Sequence, residues 1–357
     1  MESKRIAIVC DYKLLQERVG GMDYFFWQFN KKCQENDVAV DWFFPNNETH
    51  GFYTTFSIIS APNTSIEATF LEHLTKEKTK YDYIITHFLE LCTPFYKKVK
   101  QKSAAKIIAI DHNPRPLQGY SFKKKLQKKM KGILYSKYID TFVGVSQYTV
   151  HELLHDFGTF IAPKTKVIYN GVIIDDIVER TSQNLRPTQF IVASHLRYSK
   201  GIQDLLLAWS QLPEQITHHC SIDIYGEGEY EDVLREMCKN LQLTNIYFKG
   251  SVSNLKQLFH KYDFLLQPTY MECFSLSILE SLAANVPVIT TNVGGNEEVV
   301  KNGVNGFIFC AQNVTQLTAL LTKVIGGELA INQNTRNLIA THYSLESMVE
   351  NHFKLIN

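Results

Sequence analysis

Residues 263–290 read Asp263-Phe-Leu-Leu-Gln267, Pro268-Thr-Tyr-Met-Glu272-Cys-Phe-Ser-Leu276-Ser-Ile-Leu-Glu280-Ser-Leu-Ala-Ala284, then Asn285-Val-Pro-Val-Ile-Thr290. A short apolar run is followed by a proline and a polar loop, then by a helical period over residues 276–284 and a second β-branched run over 286–290. Strand, loop, helix and strand in this order form the repeating unit of a parallel sheet covered by helices. A helix that opens straight after such a strand offers its first backbone N–H groups, here near Phe274, Ser275 and Leu276, to a phosphate or to sugar hydroxyls. Glu272 lies in the loop just before them and Glu280 about one turn in. Helical side chains lean toward the N-terminus, so both carboxylates reach one ligand. Two unrelated solvated glutamates are the competing reading, and the stretch alone does not choose between them.

The same alternation runs outward in both directions. Strands are predicted at 5–10, 38–44, 83–86, 106–110, 141–145 and 166–168, with helices between them such as 24–34 and 149–156. It restarts with strands at 189–194, 221–225, 246–248, 263–267, 286–290 and 306–309, and helices at 202–210, 230–241, 255–260, 276–284 and 314–325. Between the two halves the polar stretch 179–187 has no apolar period and ends near Pro187, which makes it the linker candidate. Ser344 caps a last amphipathic segment with Leu345, Met348, Val349, Phe353 and Leu355 on one face. The chain therefore divides into an acceptor-side Rossmann-like domain (1–180), a nucleotide-sugar-side Rossmann-like domain (181–340) and a terminal helix (341–357) expected to pack back on the first. Two such α/β sheets are expected to face across a cleft between the carboxyl ends of their strands.

Composition narrows the partners. The 357 residues suit two domains, and 37 Lys+Arg against 36 Asp+Glu lack the basic excess of a generic nucleic-acid binder, so no nucleic acid is expected. Seven cysteines stand scattered, with no Cys-x-x-Cys pair, and read as reduced core residues of a cytoplasmic protein. The opening Met1-Glu-Ser-Lys-Arg leads straight into a strand, and no apolar run reaches the length of a membrane span, so neither signal peptide nor transmembrane segment is expected.

Glu272 and Glu280 are separated by seven residues and followed by Pro287-Val-Ile and Gly294-Gly295. In this they resemble the Glu-x7-Glu signature of glycosyltransferase family 4, retaining enzymes of the two-domain GT-B fold. Gly20-Gly21, Val145-Ser146, Asn170-Gly171-Val172, Lys200-Gly201, Gly226-Glu-Gly228, Gly250 and Asn302-Gly-Val-Asn-Gly306 follow in family order. The resemblance implies that Glu272 contacts the donor sugar's hydroxyls and that the amides of Phe274 to Leu276 lie near the sugar and diphosphate. It implies that Glu280 holds the ribose diol and Lys200 neutralises the leaving diphosphate. Gly20 and Gly21 admit a close approach of backbone to donor phosphate or acceptor. His112 matches the histidine beside the transferring sugar; by itself it reads as an ordinary loop residue. Three departures stand out. His195 occupies the family's arginine position, with Arg197 two residues on as the replacement candidate. Cys273 stands where glycine is usual. Arg115 is an unassigned acceptor contact.

Gly226-Glu-Gly228 lacks the third glycine of a dinucleotide fingerprint, which leaves a nicotinamide oxidoreductase far behind, and no P-loop occurs. Nor does any Asp-x-Asp, the metal-holding pair of the other large glycosyltransferase fold. No metal and no cofactor are expected, only a UDP- or GDP-linked sugar as co-substrate. The segment 122–138 carries Lys123, Lys124, Lys125, Lys128, Lys129 and Lys131 around an apolar stripe of Phe122, Leu126, Met130, Ile133 and Leu134. It reads equally as a membrane-docking helix for an anionic surface or as a core helix with a solvated lysine face.

These readings converge on a retaining, metal-independent hexosyltransferase-like enzyme that moves a sugar to a glycan or lipid-linked acceptor in envelope polysaccharide or glycolipid synthesis. Its expected place is the cytoplasm, with a peripheral position at the inner face of the cytoplasmic membrane through the basic segment. A catalytically weak homologue serving as a membrane-bound assembly partner and a sugar-nucleotide epimerase of the same fold are the alternatives.

Overall fold

The structure, a computed structural model, describes residues 4–77, 79–181 and 186–357. Residues 182–185 of the linker candidate lie outside the described residues. The chain folds into two compact units, one running to Asn170 and taking back Leu345–Asn357, the other spanning Gly171–Ser344.

In the first unit the strands are β1 (Arg5–Cys10), β2 (Ala39–Phe44), β3 (Ser57–Ser60), β4 (Tyr83–His87), β5 (Lys106–Asp111), β6 (Thr141–Gly144) and β7 (Thr165–Val167). They form one sheet in the order β3-β2-β1-β4-β5-β6-β7, every described pair parallel. Helices α1 (Gly21–Glu35), α2 (Ile66–Lys76), α3 (Pro94–Lys102), α4 (Phe122–Tyr135) and α5 (Gln147–Phe157) make the crossovers. Covering both faces explains why β1 buries every residue from Ile6 to Cys10 instead of alternating. On one side Val9, Phe43, Phe70, Ile84, Tyr96 and Phe142 join a single apolar cluster, each contributing about 1.5–3 kcal/mol.

The second unit repeats the plan. Strands β8 (Gln189–Ala193), β9 (Ser221–Tyr225), β10 (Ile246–Gly250), β11 (Phe264–Gln267), β12 (Val288–Thr291) and β13 (Gly306–Phe309) lie in the order β10-β9-β8-β11-β12-β13, again parallel. Its helices are α6 (Ile202–Ser210), α7 (Glu214–Thr217), α8 (Glu231–Asn240), α9 (Leu276–Ala283), α10 (Asn296–Val299), α11 (Val314–Ile325) and α12 (Arg336–His342). Both sheets reverse their strand order once, between β1 and β4 and between β8 and β11. Open parallel sheets bind ligands outside the carboxyl ends of the strands at such a reversal.

The break between the units falls ten residues before the expected 180/181 boundary, because residues 171–180 are bonded into the second unit. Val172 bridges to Ser344. The Arg180 amide donates to the Ala284 carbonyl at 2.8 Å, and its guanidinium pairs with Asp263 at 2.6 Å. Arg336 donates to the carbonyls of Ile174 and Ile177. The last helix, α13 (Leu345–Phe353), lies against α1, with His352 4.7 Å from the Phe25 ring and Lys32 2.9 Å from Glu350.

Other differences are local. Strand β3 has no counterpart among the sequence expectations, and helices α2, α3, α7, α10 and α12 have none with stated bounds. The helix expected at 255–260 is instead two 3-10 turns, Leu255–Gln257 and Phe259–Lys261. Six cysteines are buried, but Cys310 is exposed.

Candidate active site

In the second unit β8 and β11 end side by side, and the chemistry collects in the loops that follow them. The loop after β8 forms a 3-10 turn at Tyr198–Lys200, and Lys200 reaches across to the loop after β11. Its ammonium lies 2.9 Å from Glu272 Oε2, with both side chains largely buried. Glu272 Oε1 accepts from the Cys273 amide at 3.1 Å, so the carboxylate is held at both oxygens. Gly294, at φ +63°, lets a neighbouring turn close over this loop; a Cβ there would collide with the Glu272 carbonyl oxygen. Lys200 and Glu272 thus neutralise each other across 72 residues of sequence.

Ser275 caps α9, its Oγ accepting from the Ile278 amide at 3.4 Å and exchanging hydrogen bonds with the Gln267 side chain at 2.9–3.1 Å. Cap and strand end are thereby locked together, which fixes where the first-turn amides of α9 point. Phe274 is buried with its ring 5.5 Å from Tyr343, and Leu276 is half-buried at the helix start. Glu280 stands one turn further on. Burial pushes its carboxyl up to about 7, opposed by the charge of Lys256, and burial in turn pulls the Lys256 ammonium down. Lys256, in the 3-10 turn where a helix is expected, is a site residue without a sequence signal, since an isolated lysine forms no motif. Arg197 is exposed at the start of the Lys200 turn, the Lys200 amide donating to its carbonyl at 2.9 Å.

The first unit places Gly20, Gly21 and His112 at the carboxyl edge of its own sheet. Gly20 is the N-cap of α1, its amide donating to the buried Asp23 at 2.9 Å, and Gly21 begins the helix. A Cβ on Gly20 would meet nothing within 4 Å, so the fold itself does not demand this glycine. His112 follows β5; its Nε2 lies 3.0 Å from His87 Nδ1, and Phe88 stacks on its ring at 4.3 Å. Burial, with His352 nearby, pulls the His112 imidazole down to about 3, and burial takes His87 well below its ordinary value. Both rings are therefore neutral at physiological pH, and His112 serves as a hydrogen-bonding group, not as a cation.

Two sequence readings are corrected here. Arg115 is spent inside the unit on Asp111 at 2.7 Å and Asp156 at 2.8 Å, bracing the loop that carries His112, and is no acceptor contact. Helix α4 is turned opposite to a core helix: Phe122 is 83% exposed, Ile133 60% and Leu126 55%, while Gly132 packs against the end of α5, where a Cβ would strike the Phe157 carbonyl. Lys123, Lys125 and Lys129 are exposed beside the stripe and Lys124 is half-buried, but Lys128 and Lys131 face inward, paired with Asp156 at 3.0 Å and Glu90 at 2.6 Å. No helix among the described residues is long and apolar enough to cross a membrane.

Two parallel α/β units with ligand-binding loops at their switch points define the GT-B class of glycosyltransferases. HepE of Anabaena, solved in complex with UDP, has a similar fold, with a TM-score of 0.76 over 99% of both chains at 17% identity. The family model for glycosyl transferases group 1 matches residues 174–340 and that for glycosyltransferase family 4 matches residues 19–176. The chain belongs to this family, the group 1 or family 4 glycosyltransferases. Among curated relatives, an uncharacterised glycosyltransferase of Methanocaldococcus jannaschii is 27% identical over 62% of this chain and 62% of its own length. The glycogen synthase of Mycobacterium tuberculosis is 31% identical over 55% of this chain and 48% of its own length. The chain thus spans about half to three-fifths of these relatives.

Proposed function

We propose that this chain is a retaining, metal-independent glycosyltransferase that moves a hexose-like sugar from a nucleotide-sugar donor to a glycan or lipid-linked acceptor in envelope polysaccharide or glycolipid synthesis. The carrying observation is the Lys200–Glu272 pair at the capped start of α9. A ready ammonium, first-turn amides and a carboxylate are what a nucleoside diphosphate bonded to a polyol requires. On donor binding Lys200 turns to the diphosphate, leaving Glu272 to accept sugar hydroxyls, while Glu280 takes the ribose diol. The second unit holds the donor and the first the acceptor, with His112 beside the transferring sugar and Gly20-Gly21 leaving room for backbone contact. UDP complexes of a similar fold favour a UDP-sugar over a GDP-sugar.

Thermal stabilisation by a panel of UDP- and GDP-sugars tests this, since a ligand at about 100 times its Kd adds ~2.7 kcal/mol. One nucleotide series is expected to stabilise the protein, and stabilisation and turnover are expected to survive EDTA because no Asp-x-Asp is present. Activity lost on chelation and restored by magnesium or manganese would refute metal independence. Donor turnover to an isomeric nucleotide sugar without any acceptor would favour an epimerase instead.

Helix α4 supports a second part of the reading, docking on an anionic lipid surface at the inner face of the cytoplasmic membrane. A solvent-facing apolar stripe flanked by lysines matches that surface in both hydrophobicity and charge. Lys123→Glu, Lys125→Glu and Lys129→Glu together are expected to weaken co-sedimentation with phosphatidylglycerol vesicles by about a hundredfold, at about 1 kcal/mol per lysine. Lys128 is left alone, since its reversal breaks the pair with Asp156. Equal sedimentation of wild type and triple variant at low salt would show that the helix does not dock.

A further inference from the structure

A pocket of ≈ 350 Å³ opens at the carboxyl edge of the first unit's sheet, among the loops that follow β1, β2, β3 and β4. It falls within the roughly 300–1,000 Å³ range of small-molecule sites. Its charged lining is entirely acidic: Asp11 after β1, Glu67 in the first turn of α2 and Glu90 after β4. Asp11 and Glu90 stand exposed and Glu67 is half-buried. Two lysines offset them from outside: Lys131 pairs with Glu90 at 2.6 Å, and Lys98 acts on Glu67 at a distance. Burial and the charges of Glu90 and Asp11 still leave the Glu67 carboxyl raised, a sign that the pocket lacks positive charge.

Hydroxyls complete the lining. Thr64 and Ser65 are engaged locally, with Thr69 and with the Ala68 amide. Thr93 differs. It is the N-cap of α3 and only 8% exposed, yet its hydroxyl makes no cap bond and has no hydrogen-bond partner at all. A buried hydroxyl left unsatisfied at an N-cap is costly, and this one lines the pocket, within reach of an occupant's polar group.

A metal ion is a poor occupant. Among the described residues, one group of three candidate ligands converges within 4.8 Å, Glu152 with His155 and Asp156, and it lies elsewhere. The pocket carboxylates do not converge as a metal's ligands must, but they act on one another through space and so set a shared negative field for a sugar-borne ammonium that bonds any one of them. Asp11 also ties the pocket to the catalytic edge: its amide donates to the His87 carbonyl at 3.1 Å, and the His87 ring contacts His112.

We infer that this pocket is an acceptor subsite for a sugar bearing a free amine, with the ammonium drawn into the shared negative field of Asp11, Glu67 and Glu90 and a hydroxyl bonded to Thr93. The assignment rests on the reading that the first unit takes the acceptor. Phosphorylated and uronic sugars are excluded by like-charge repulsion, and N-acetylation removes the charge that the carboxylates recognise.

Calorimetric titration of the full chain with methyl glucosaminide, its N-acetyl derivative and methyl glucuronide tests the inference. The glucosaminide is expected to bind roughly tenfold more tightly than the N-acetyl compound, and the glucuronide not at all. Glu67→Gln and, separately, Asp11→Asn are expected to erase the preference for the amine, while Thr93→Val weakens both sugars that bind. Equal affinity for all three probes, tighter binding of the glucuronide, no binding by wild type, or an amine preference unchanged in both carboxylate variants would overturn the subsite. Donor-induced thermal stabilisation of the same samples reads the other unit. Its presence without amine binding overturns this subsite alone, and its absence overturns the glycosyltransferase reading beneath it.

Discussion

Lys200→Ala is expected to lower kcat/KM by about 10²–10³, the usual result of removing one preorganised group from developing negative charge. The ammonium is held 2.9 Å from Glu272 before any donor arrives, so in the proposed complex it has only to exchange that carboxylate for the leaving diphosphate beside it. Glu272→Ala is expected to reduce turnover mainly, because the proposed reading places its carboxylate against the reacting sugar and not the nucleotide. The two groups share one contact, and the double variant should therefore lose less than the two single losses added together. Each single variant leaves a largely buried partner unpaired, so about 1–3 kcal/mol of stability is expected to go with it, read separately as melting temperature. Wild-type transfer by both single variants, measured below their melting temperatures, would remove this loop from the chemistry.

Glu280 is expected to make donor binding depend on pH. In the proposed donor complex its carboxylate accepts from two ribose hydroxyls; as a neutral acid it would lose the charge that strengthens those bonds. Its carboxyl titrates at about 7, so affinity should rise as pH passes through that value and then level off. Stability moves the other way. The raised carboxyl keeps its proton in the folded state while the unfolded chain releases it from about 4.5 upward, so this group's contribution falls between pH 4.5 and 7 and is constant above. Glu280→Gln should flatten both profiles. Glu280→Ala should weaken donor binding by roughly 10–150-fold, the equivalent of about 1.5–3 kcal/mol for a charged hydrogen bond. A Kd that is flat from pH 5.5 to about 8.5 in wild type and unchanged in both variants would show that Glu280 does not touch the nucleotide.

The legible part of this fold is the part governed by local pattern. Strands buried on both faces, such as Ile6–Cys10 and Phe264–Gln267, read as uninterrupted apolar runs, and α6 and α11 fall at 202–210 and 314–325 as their periods predict. Strand β3 escapes because Ser57-Ile-Ile-Ser60 is a four-residue edge strand without a fully buried position. Helices α2 and α3 did carry start signals, Ser65 as a cap and Pro94 at the first position, which a closer reading of caps would recover. Charge is harder. Lys123 and Lys128 are indistinguishable by composition, and it takes Asp156, 28 residues further on, with the rings of Tyr120 and Phe157, to turn Lys128 inward. The electrostatic partnership of Lys256 with Glu280 likewise depends on tertiary approach alone.

The interleaving of the two units bears on how this protein is made. Synthesis delivers all of residues 171–344 before α13, yet α13 supplies Leu345, Met348, Val349, His352 and Phe353 to the apolar contact with α1. The unit that begins first is thus the last to close. Until residues 345–353 leave the ribosome, the α1 surface around Phe25 waits uncovered, a docking place for chaperones and a point of attack for proteases. A chain stalled before α13 therefore carries a complete second unit and an open first one, and quality control would recognise it by that bare helix.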